Sequence, residues 1–444
     1  MITRREFLGA AFAGSAATLI PSWAHAATVG RVVVIGGGMA GATVAKYLRK
    51  WSNGAVDVTM IEQESRYTSN IMSNLVITGQ MPISSLYYNY TSLVKSYGIK
   101  LVTGTVTAIT PNGSGWLVTT KSGSQTISTP CERVVVAPGV QFDSIPLSSN
   151  LTQSAPVVHA WQAGPQTTLL NKQLVGMKKG GTFVMTIPKS PYRCPPGPYE
   201  RACVVADYLK RNKPGSKVIV LDANPSIQAE AENFYAAFNG LYSGIIDYRT
   251  SIIVSSAQTS VGSASGTIET NQGVIRGDVI NIIPPHRAGK IAFDAGLVPA
   301  GFTFAPVDVR SFESTVPGKA GVHILGDAST GTGLPKAGHV GNQGAKICAS
   351  AIIRAFYNQA PDQAPTANSA CFSPIDSKNA SWLTAVYQYK DQAPSGYSRG
   401  IMVATDFVSG STGAAAVIEA NGWSTKNFSK MNTWYKTLMT DTFA

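Results

Sequence analysis

The chain is poor in several features that would have fixed its chemistry at once. It has five cysteines in 444 residues, none spaced C-x-x-C or C-x-x-C-H. That disfavours a zinc ribbon, a thioredoxin-type motif and a covalently attached c-type haem on this chain. Charged residues make up only 14%. The formal charge of +12 is not clustered, and no Lys/Arg run is interleaved with aromatics. This argues against nucleic acid and points to an acidic partner or an anionic substrate. No apolar run is long enough to span a bilayer. There is no Ser/His/Asp hydrolase elbow. His159, His286, His323 and His339 fall at no ligand spacing, so no metal site is expected. No internal repeat or low-complexity tract is evident.

What is present begins with an address. Residues 1–26 carry paired Arg4 and Arg5, then Phe7 and Leu8, a mild apolar stretch, and a small-x-small end at Ala24-His25-Ala26. This reads as a cleaved twin-arginine signal, which implies export of the folded protein to the bacterial periplasm. Length and the 44% hydrophobic content suit two or three domains with real cores.

The segment after the signal, RVVVIGGGMAGATVAKYLRKW, predicts a buried parallel strand over 32–35 and then Gly36-x-Gly38-x-x-Gly41. Val44, Tyr47, Leu48 and Trp51 follow at helical spacing. A second strand over 56–61 ends in Glu62, about 20 residues past the last glycine. Gly36 makes the tight turn, Gly38 admits a pyrophosphate, and Gly41 lets helix pack on strand. The helix N-terminus favours the phosphates, and Glu62 binds ribose hydroxyls. Two later segments favour FAD over NAD. RVVVAPG is an apolar strand ending in a turn at Gly139, and VHILGDA ends in Gly326-Asp327. Asp327 is expected at the ribityl chain or the pyrophosphate edge. Gly338, Gly341 and Gly344 then open a helix with Ile347, Ala351 and Ala355 on one face, its N-terminus suited to an anionic reduced ring.

A second strand–helix–strand unit runs over 181–187, 199–210 and 217–222. Its first turn carries PKSPYRCPPGPYERA in place of glycines. Prolines offer no N–H groups to a pyrophosphate, so this unit keeps the nucleotide fold and lacks nicotinamide binding. Gly197 caps its helix and Pro198 takes the first position. Cys194 then stands just ahead of a helix N-terminus, where its thiol pKa should fall. Glu200, in the first turn, reads either as a dipole-complementing carboxylate or as a base near the sulfur. Cys131, Cys203 and Cys348 read as buried small hydrophobes, with a local Cys194–Cys203 bridge left open.

Along nearly the whole chain, VVVIGGGMAGATVAKYL, VVVAPG, VHAWQAGPQT, RCPPGPYERA, DVINIIPPHRAGKIA, GVHILGDA, GLPKAGH and TWYKTLMTDTFA resemble the flavoprotein subunit of flavocytochrome c sulfide dehydrogenase. The resemblance implies an α/β, glutathione-reductase-like flavoprotein with two dinucleotide-type domains and a C-terminal interface domain. The boundaries would be 29–147 with 290–361 for FAD, 148–289 for the second unit, a linker at 361–365, and 366–444 for the interface. It also implies a c-type cytochrome subunit as heterodimer partner, with haem c there and none on this chain. A redox disulfide over the flavin maps to Cys194 and Cys371. Hydrosulfide would attack it and leave a persulfide on Cys194, with Cys371 at the flavin face and Glu200 taking a proton. Lys336 would draw the anion inward. Trp434 and Tyr435 are candidates for ring cover or electron path. One departure stands out: Ser69 occupies the position of the family's flavin-linking cysteine, so FAD is expected to be non-covalent. A sulfide:quinone oxidoreductase-like enzyme and a non-enzymatic accessory flavoprotein of a sulfur-oxidation complex remain alternatives.

Overall fold

The computed structural model describes residues 28–144, 157–259, 265–391, 400–406 and 408–444. The twin-arginine segment and the proposed boundary at 147–148 lie outside the described residues. In the first unit, β1 (Gly30–Ile35), α1 (Met39–Trp51), β2 (Val56–Glu62), α2 (Ser73–Ile77), β3 (Lys100–Thr103) and β4 (Arg133–Val136) follow in order. Val32, Val33 and Val34 are buried, since helices cover both faces of a parallel sheet and leave no solvent side to alternate with. β1 lies between β2 and β4, with Ile35 opposite Ile61 and Val136. The glycine turn therefore emerges at the carboxyl edge of the sheet. Gly36 has φ +99°, and a Cβ there would meet Ala137 O at 2.3 Å. A Cβ on Gly41 would lie 1.8 Å from Gly36 O. Trp51, expected on the inward face of α1, is exposed.

The second unit is a four-stranded parallel sheet built from β5 (Thr182–Ile187), β6 (Lys217–Asp222), β7 (Ile246–Arg249) and β8 (Val279–Ile282), in the order β7-β6-β5-β8. Its crossover helix α3 (Gly197–Asn212) begins one residue earlier than the sequence suggested. Pro196, at φ −76° and ψ −20°, is the N-cap, and Gly197 is already helical. Three-stranded meanders flank both units. In the first of them Pro111 and Asn112 complete a strand, and the turn falls on Gly113 at φ +59°.

The chain returns to the first sheet with β9 (Val322–Ile324) beside β4, then enters α5 (Gly338–Phe356). The buried face of α5 is Ala345, Cys348, Ala349 and Ile352. Of the expected face, Ala351 is also buried, whereas Ile347 and Ala355 are half-buried. That face packs on α1, where Gly341 and Gly344 let the helices approach Ala40 and Phe312. After the 361–365 linker come β10 (Thr366–Pro374), β11 (Ala380–Lys390), β12 (Ile401–Ala404) and β13 (Ile418–Glu419), an antiparallel sheet with β11 between β10 and the other two. The last helix, α6 (Thr425–Phe443), is capped by Ser424 Oγ accepting from the Asn427 N–H at 3.1 Å. Lys46 on α1 donates to the α6 carbonyl of Asp441 at 2.8 Å, satisfying groups that a helix end leaves open. Phe443 stacks on Tyr67 at 5.1 Å. These contacts set Trp434 against the first unit.

Replacing Gly41 by Ala forces a methyl into the Gly36 carbonyl. The expected cost is about 1–3 kcal/mol, as for other overpacked sites, with loss of retained flavin. Urea unfolding together with the flavin-to-protein absorbance ratio of the purified variant tests it.

Candidate active site

Between the two units and the C-terminal sheet lies a cavity of about 1460 Å³. Of the residues expected to form the site, Gly36, Gly38, Glu62, Gly139, Cys194, Glu200, Asp327, Cys371 and Trp434 all line it. Most arrive at the carboxyl end of a strand, at a helix start, or on the C-terminal sheet, whereas Trp434 reaches in from the middle of the last helix. Gly41, Ser69 and Lys336 are not among the lining residues. Gly41 acts behind the wall, as described. Ser69 is buried, and its hydroxyl donates to Ile71 O at 3.2 Å. Lys336 corrects a stronger expectation: its ammonium is tied to the carbonyls of Asp327 at 2.9 Å and Ser329 at 2.7 Å, over the Phe304 ring. A cation already held by two carbonyls is poorly placed to draw in a substrate. Tyr435 is buried but lies outside the cavity lining.

The cavity walls suit a dinucleotide. Neither α1 nor α5 has a side-chain cap, which leaves first-turn amides for an anion. A Cβ on Gly38 would find nothing nearer than the Tyr67 ring at 3.8 Å, so the backbone there is open to close approach. Glu62 accepts from the Gly37 N–H at 2.5 Å and the Glu64 N–H at 3.0 Å. That fixes its carboxylate at the rim with lone pairs to spare for hydroxyls. The Trp434 indole N–H is buried without a partner, the kind of orphan that a bound polar ring satisfies.

The second unit differs at the equivalent place. Asp222, at the end of β6, is fully buried and accepts from Tyr199 Oη at 2.8 Å, Tyr248 Oη at 2.9 Å and the Asn224 N–H at 2.8 Å. A carboxylate so engaged is not offered to a ribose. The cavity beyond these strands, about 1180 Å³, is walled in part by Pro188, Pro225, Pro284 and Pro285.

The proline-rich turn places Cys194. Its backbone has φ +61°, the left-handed region that non-glycine residues rarely enter. It is pinned on both sides, its N–H donating to Lys336 O at 2.7 Å and its C=O accepting from the Gly197 N–H at 2.9 Å. A Cβ on Gly197 would stand 2.8 Å from Cys194 Sγ and 3.0 Å from the Trp161 ring, so the sulfur occupies the space that glycine leaves. Preceding Arg193 is anchored too, its N–H donating to His286 Nδ1 at 2.9 Å. Its guanidinium reaches Trp161 O. Burial keeps His286 neutral, with its pKa lowered to about 3, and brings His159 down to about 4. Both fix loops, His159 by accepting from the Trp161 N–H at 3.0 Å.

Cys371 reaches the same cavity from β10. None of the five cysteines is disulfide-bonded in this structure, so the expected Cys194–Cys371 bridge is not formed here. The expected lowering of the Cys194 pKa is overturned. Burial pushes this thiol well up, the nearby Cys371 and Glu200 add to the rise, and Arg193 and the Gly197 N–H only soften it. Desolvation outweighs the helix terminus because a thiolate loses more hydration here than one turn of amides returns. Burial likewise raises Cys371 to about 12.

Glu200 faces the cavity from the first turn of α3, and burial raises its pKa to about 7 against the opposing effects of Asn74 and Arg201. Asn74 Nδ2 donates to Glu200 Oε1 at 2.9 Å, and Asn74 Oδ1 accepts from Arg201 Nε at 2.9 Å. Neither Asn74 nor Arg201 was singled out from the sequence. Arg201 stands inside the CPPGPYERA motif, which was a usable signal, whereas Asn74 had none. His339 was also missed as a site residue. It lines the cavity, its Nδ1 accepts from the Ala370 N–H at 3.0 Å, and its ring meets Trp434 edge-on. Among the described residues no cluster of His, Cys, Asp and Glu could hold a metal, and no helix is long and apolar enough to cross a membrane.

Comparison with known proteins agrees with this geometry. Residues 30–174 match the family model for pyridine nucleotide-disulphide oxidoreductases. Residues 167–284 match that for the central region of the sulfide dehydrogenase [flavocytochrome c] flavoprotein chain. The sulfide:quinone oxidoreductase of the hyperthermophilic bacterium Aquifex aeolicus superposes with a TM-score of 0.68 at 16% identity, over 93% of this chain and 92% of that one. A NAD-dependent persulfide reductase from A. fulgidus gives a TM-score of 0.62 at 15% identity, over 92% and 76%. Putidaredoxin reductase, in its covalent complex with putidaredoxin, gives 0.64 at 15% identity, over 93% and 94%. Residues 30–174 thus carry the signature of the pyridine nucleotide-disulphide oxidoreductases, and the solved structures share the fold. The central region, residues 167–284, carries the signature of the flavocytochrome c sulfide dehydrogenase flavoprotein chain, the family that the sequence motifs resemble.

Glu200 also makes stability depend on pH. Its folded pKa, about 7, lies above the ordinary 4.5, so the native state holds this proton more tightly than the unfolded chain does. The stabilisation is complete below pH 4.5 and is lost as pH rises through 7. Glu200→Gln should therefore lose about 3 kcal/mol less than the parent between pH 4.5 and pH 8. Urea unfolding at the two ends of that range checks the difference.

Proposed function

We propose that this protein is the periplasmic flavoprotein subunit of a sulfide dehydrogenase, which oxidises sulfide through Cys194 and Cys371 and passes electrons to a c-type cytochrome. The carrying observation is that two cysteines far apart along the chain line one cavity with the glycine fingerprint, with Cys371 near enough to raise the pKa of Cys194. In the oxidised enzyme the pair forms a disulfide. Hydrosulfide attacks Cys194 Sγ, the S–S bond breaks, Cys194 keeps a persulfide, and the two bonding electrons leave on Cys371 as a thiolate. Glu200, titrating near 7, takes the proton of incoming H₂S. The rigid turn at Cys194 holds the attacked sulfur in line. Gly36, Gly38, Glu62, Gly139, Asp327 and Trp434 would hold FAD. When bound, FAD supplies the two-electron acceptor and releases electrons singly to haem on the partner. The twin-arginine signal motivates the location, and the family match motivates the cytochrome.

The fold is shared with a sulfide:quinone oxidoreductase, which makes quinone the alternative acceptor. Sulfide with purified protein, monitored by stopped-flow absorbance near 450 nm with cytochrome c or a short-chain quinone added, separates the two. Cytochrome reduction and copurification with a c-type cytochrome are the expected results. Cys194→Ser and Cys371→Ser should each slow flavin bleaching by at least about 10³-fold, as for other covalent nucleophiles. Bleaching at the parent rate in either variant ends the disulfide reading.

Ser69 cannot form a thioether, so FAD is held by non-covalent contacts alone. Acid precipitation should leave all flavin fluorescence in the supernatant. Yellow protein in the pellet contradicts this.

A further inference from the structure

A second buried carboxyl lies behind Cys371, and the chemistry above does not use it. Glu230 immediately precedes α4 (Ala231–Ala236) and is 2% exposed, with φ +53°. Its Oε2 accepts a hydrogen bond from Ser373 Oγ. Ser381 also bears on this carboxyl, and like Ser373 it favours the ionised form. Ser373 stands two residues beyond Cys371 on β10, so both side chains leave the same face of the strand. Ser381 pairs with Ser373 across β10 and β11, and its side chain is fully buried. From β13, Glu419 brings a third acid. Its Oε1 accepts from the Glu232 N–H at 3.2 Å, and its Oε2 has no partner. α3 contributes Glu200 and the fully buried Cys203. The titratable groups bearing on Glu230 are thus Glu200 and Cys203 from α3, Cys371 from β10 and Glu419 from β13, acids and thiols throughout.

We propose that Glu230 is a positioning acid that sets the charge state of Cys371: protonated, it lets the sulfur exist as a thiolate, and ionised, it suppresses that thiolate. Two like charges on neighbouring groups repel, so one ionises at the expense of the other. Burial holds Glu230 up to about 8, and Glu230 stands next after burial among the causes that raise Cys371 to about 12. The left-handed backbone at Glu230 keeps the carboxyl turned toward Ser373. The role rests on the reading above only in taking Cys371 as the sulfur that leaves as a thiolate.

The test is the pH profile of Cys371 alkylation by iodoacetamide in the reduced, flavin-loaded full chain, quantified by peptide mass spectrometry from pH 6 to 10. In Glu230→Gln the acid can no longer ionise. Cys371 should then react about 10-fold faster than in the parent at pH 9–10, the change given by one pKa unit, and equally fast at pH 6. Ser373→Ala removes a hydroxyl that favours the ionised carboxyl, so it should give a smaller shift in the same direction. Superimposable profiles overturn the proposal. So does a rate change of equal size at every pH, which reports access and not charge. If Glu230→Gln does not fold, the Ser373→Ala profile decides alone by the same criteria. Alkylation needs no sulfide, so it reads out even if sulfide fails to bleach the flavin.

Discussion

One buried guanidinium holds the site together. Arg201 is 1% exposed and has no carboxylate against it among its hydrogen-bond partners. It donates to Asn74 Oδ1 at 2.9 Å, His159 O at 2.7 Å, Asn281 Oδ1 at 2.9 Å and Ala160 O at 2.6 Å, and lies 4.6 Å from the Trp161 ring centroid. Removing such a charge from water costs several kcal/mol unless its donors are met, and here each nitrogen is met. The partners come from the first unit, from the segment entering the second, and from β8. The guanidinium thereby fixes how the two sheets face each other across the cavity. Burial brings its pKa down to about 9, still charged at neutral pH.

From that cation the arrangement runs outward. Asn74 passes the orientation to Glu200, Glu200 and Cys371 both raise the pKa of Cys194, and the three line one cavity. Around the two sulfurs the protein has placed acids, and both thiols are pushed up. A thiolate here is therefore reactive, because little stabilises it. Sulfur chemistry in such a place works by passing charge on quickly, and the cavity that admits a dinucleotide lies against the same two residues.

Sequence and structure part company where neighbours, not residue type, decide. The expectation of an acidified Cys194 rested on the helix terminus alone. Burial beside Trp161 and Gly197 costs a thiolate more hydration than the helix terminus returns. Lys336 looked like a free cation because its carbonyl partners, Asp327 and Ser329, reveal nothing of their geometry in one dimension. On α5 the expected Ala351 is buried but Ile347 and Ala355 are half-buried, since several small residues there satisfy more than one helical face equally well. Glu230 had no signal at all: its meaning comes from Ser373, far along the chain.

What the sequence determined by itself was local. Glycines at 36, 38 and 41 between an apolar strand and a helical pattern specify a dinucleotide turn, because each requirement is met within a few residues by the lack of a Cβ. Prolines in place of glycines in the second unit likewise mark the loss of a phosphate cradle. Tertiary structure alone brought Cys371 to Cys194, turned Asp222 inward, aimed Trp434 at the cavity and set Glu230 behind the sulfur. Those outcomes depend on loop closure over long separations and on which groups lose their water, and no short stretch of residues encodes either.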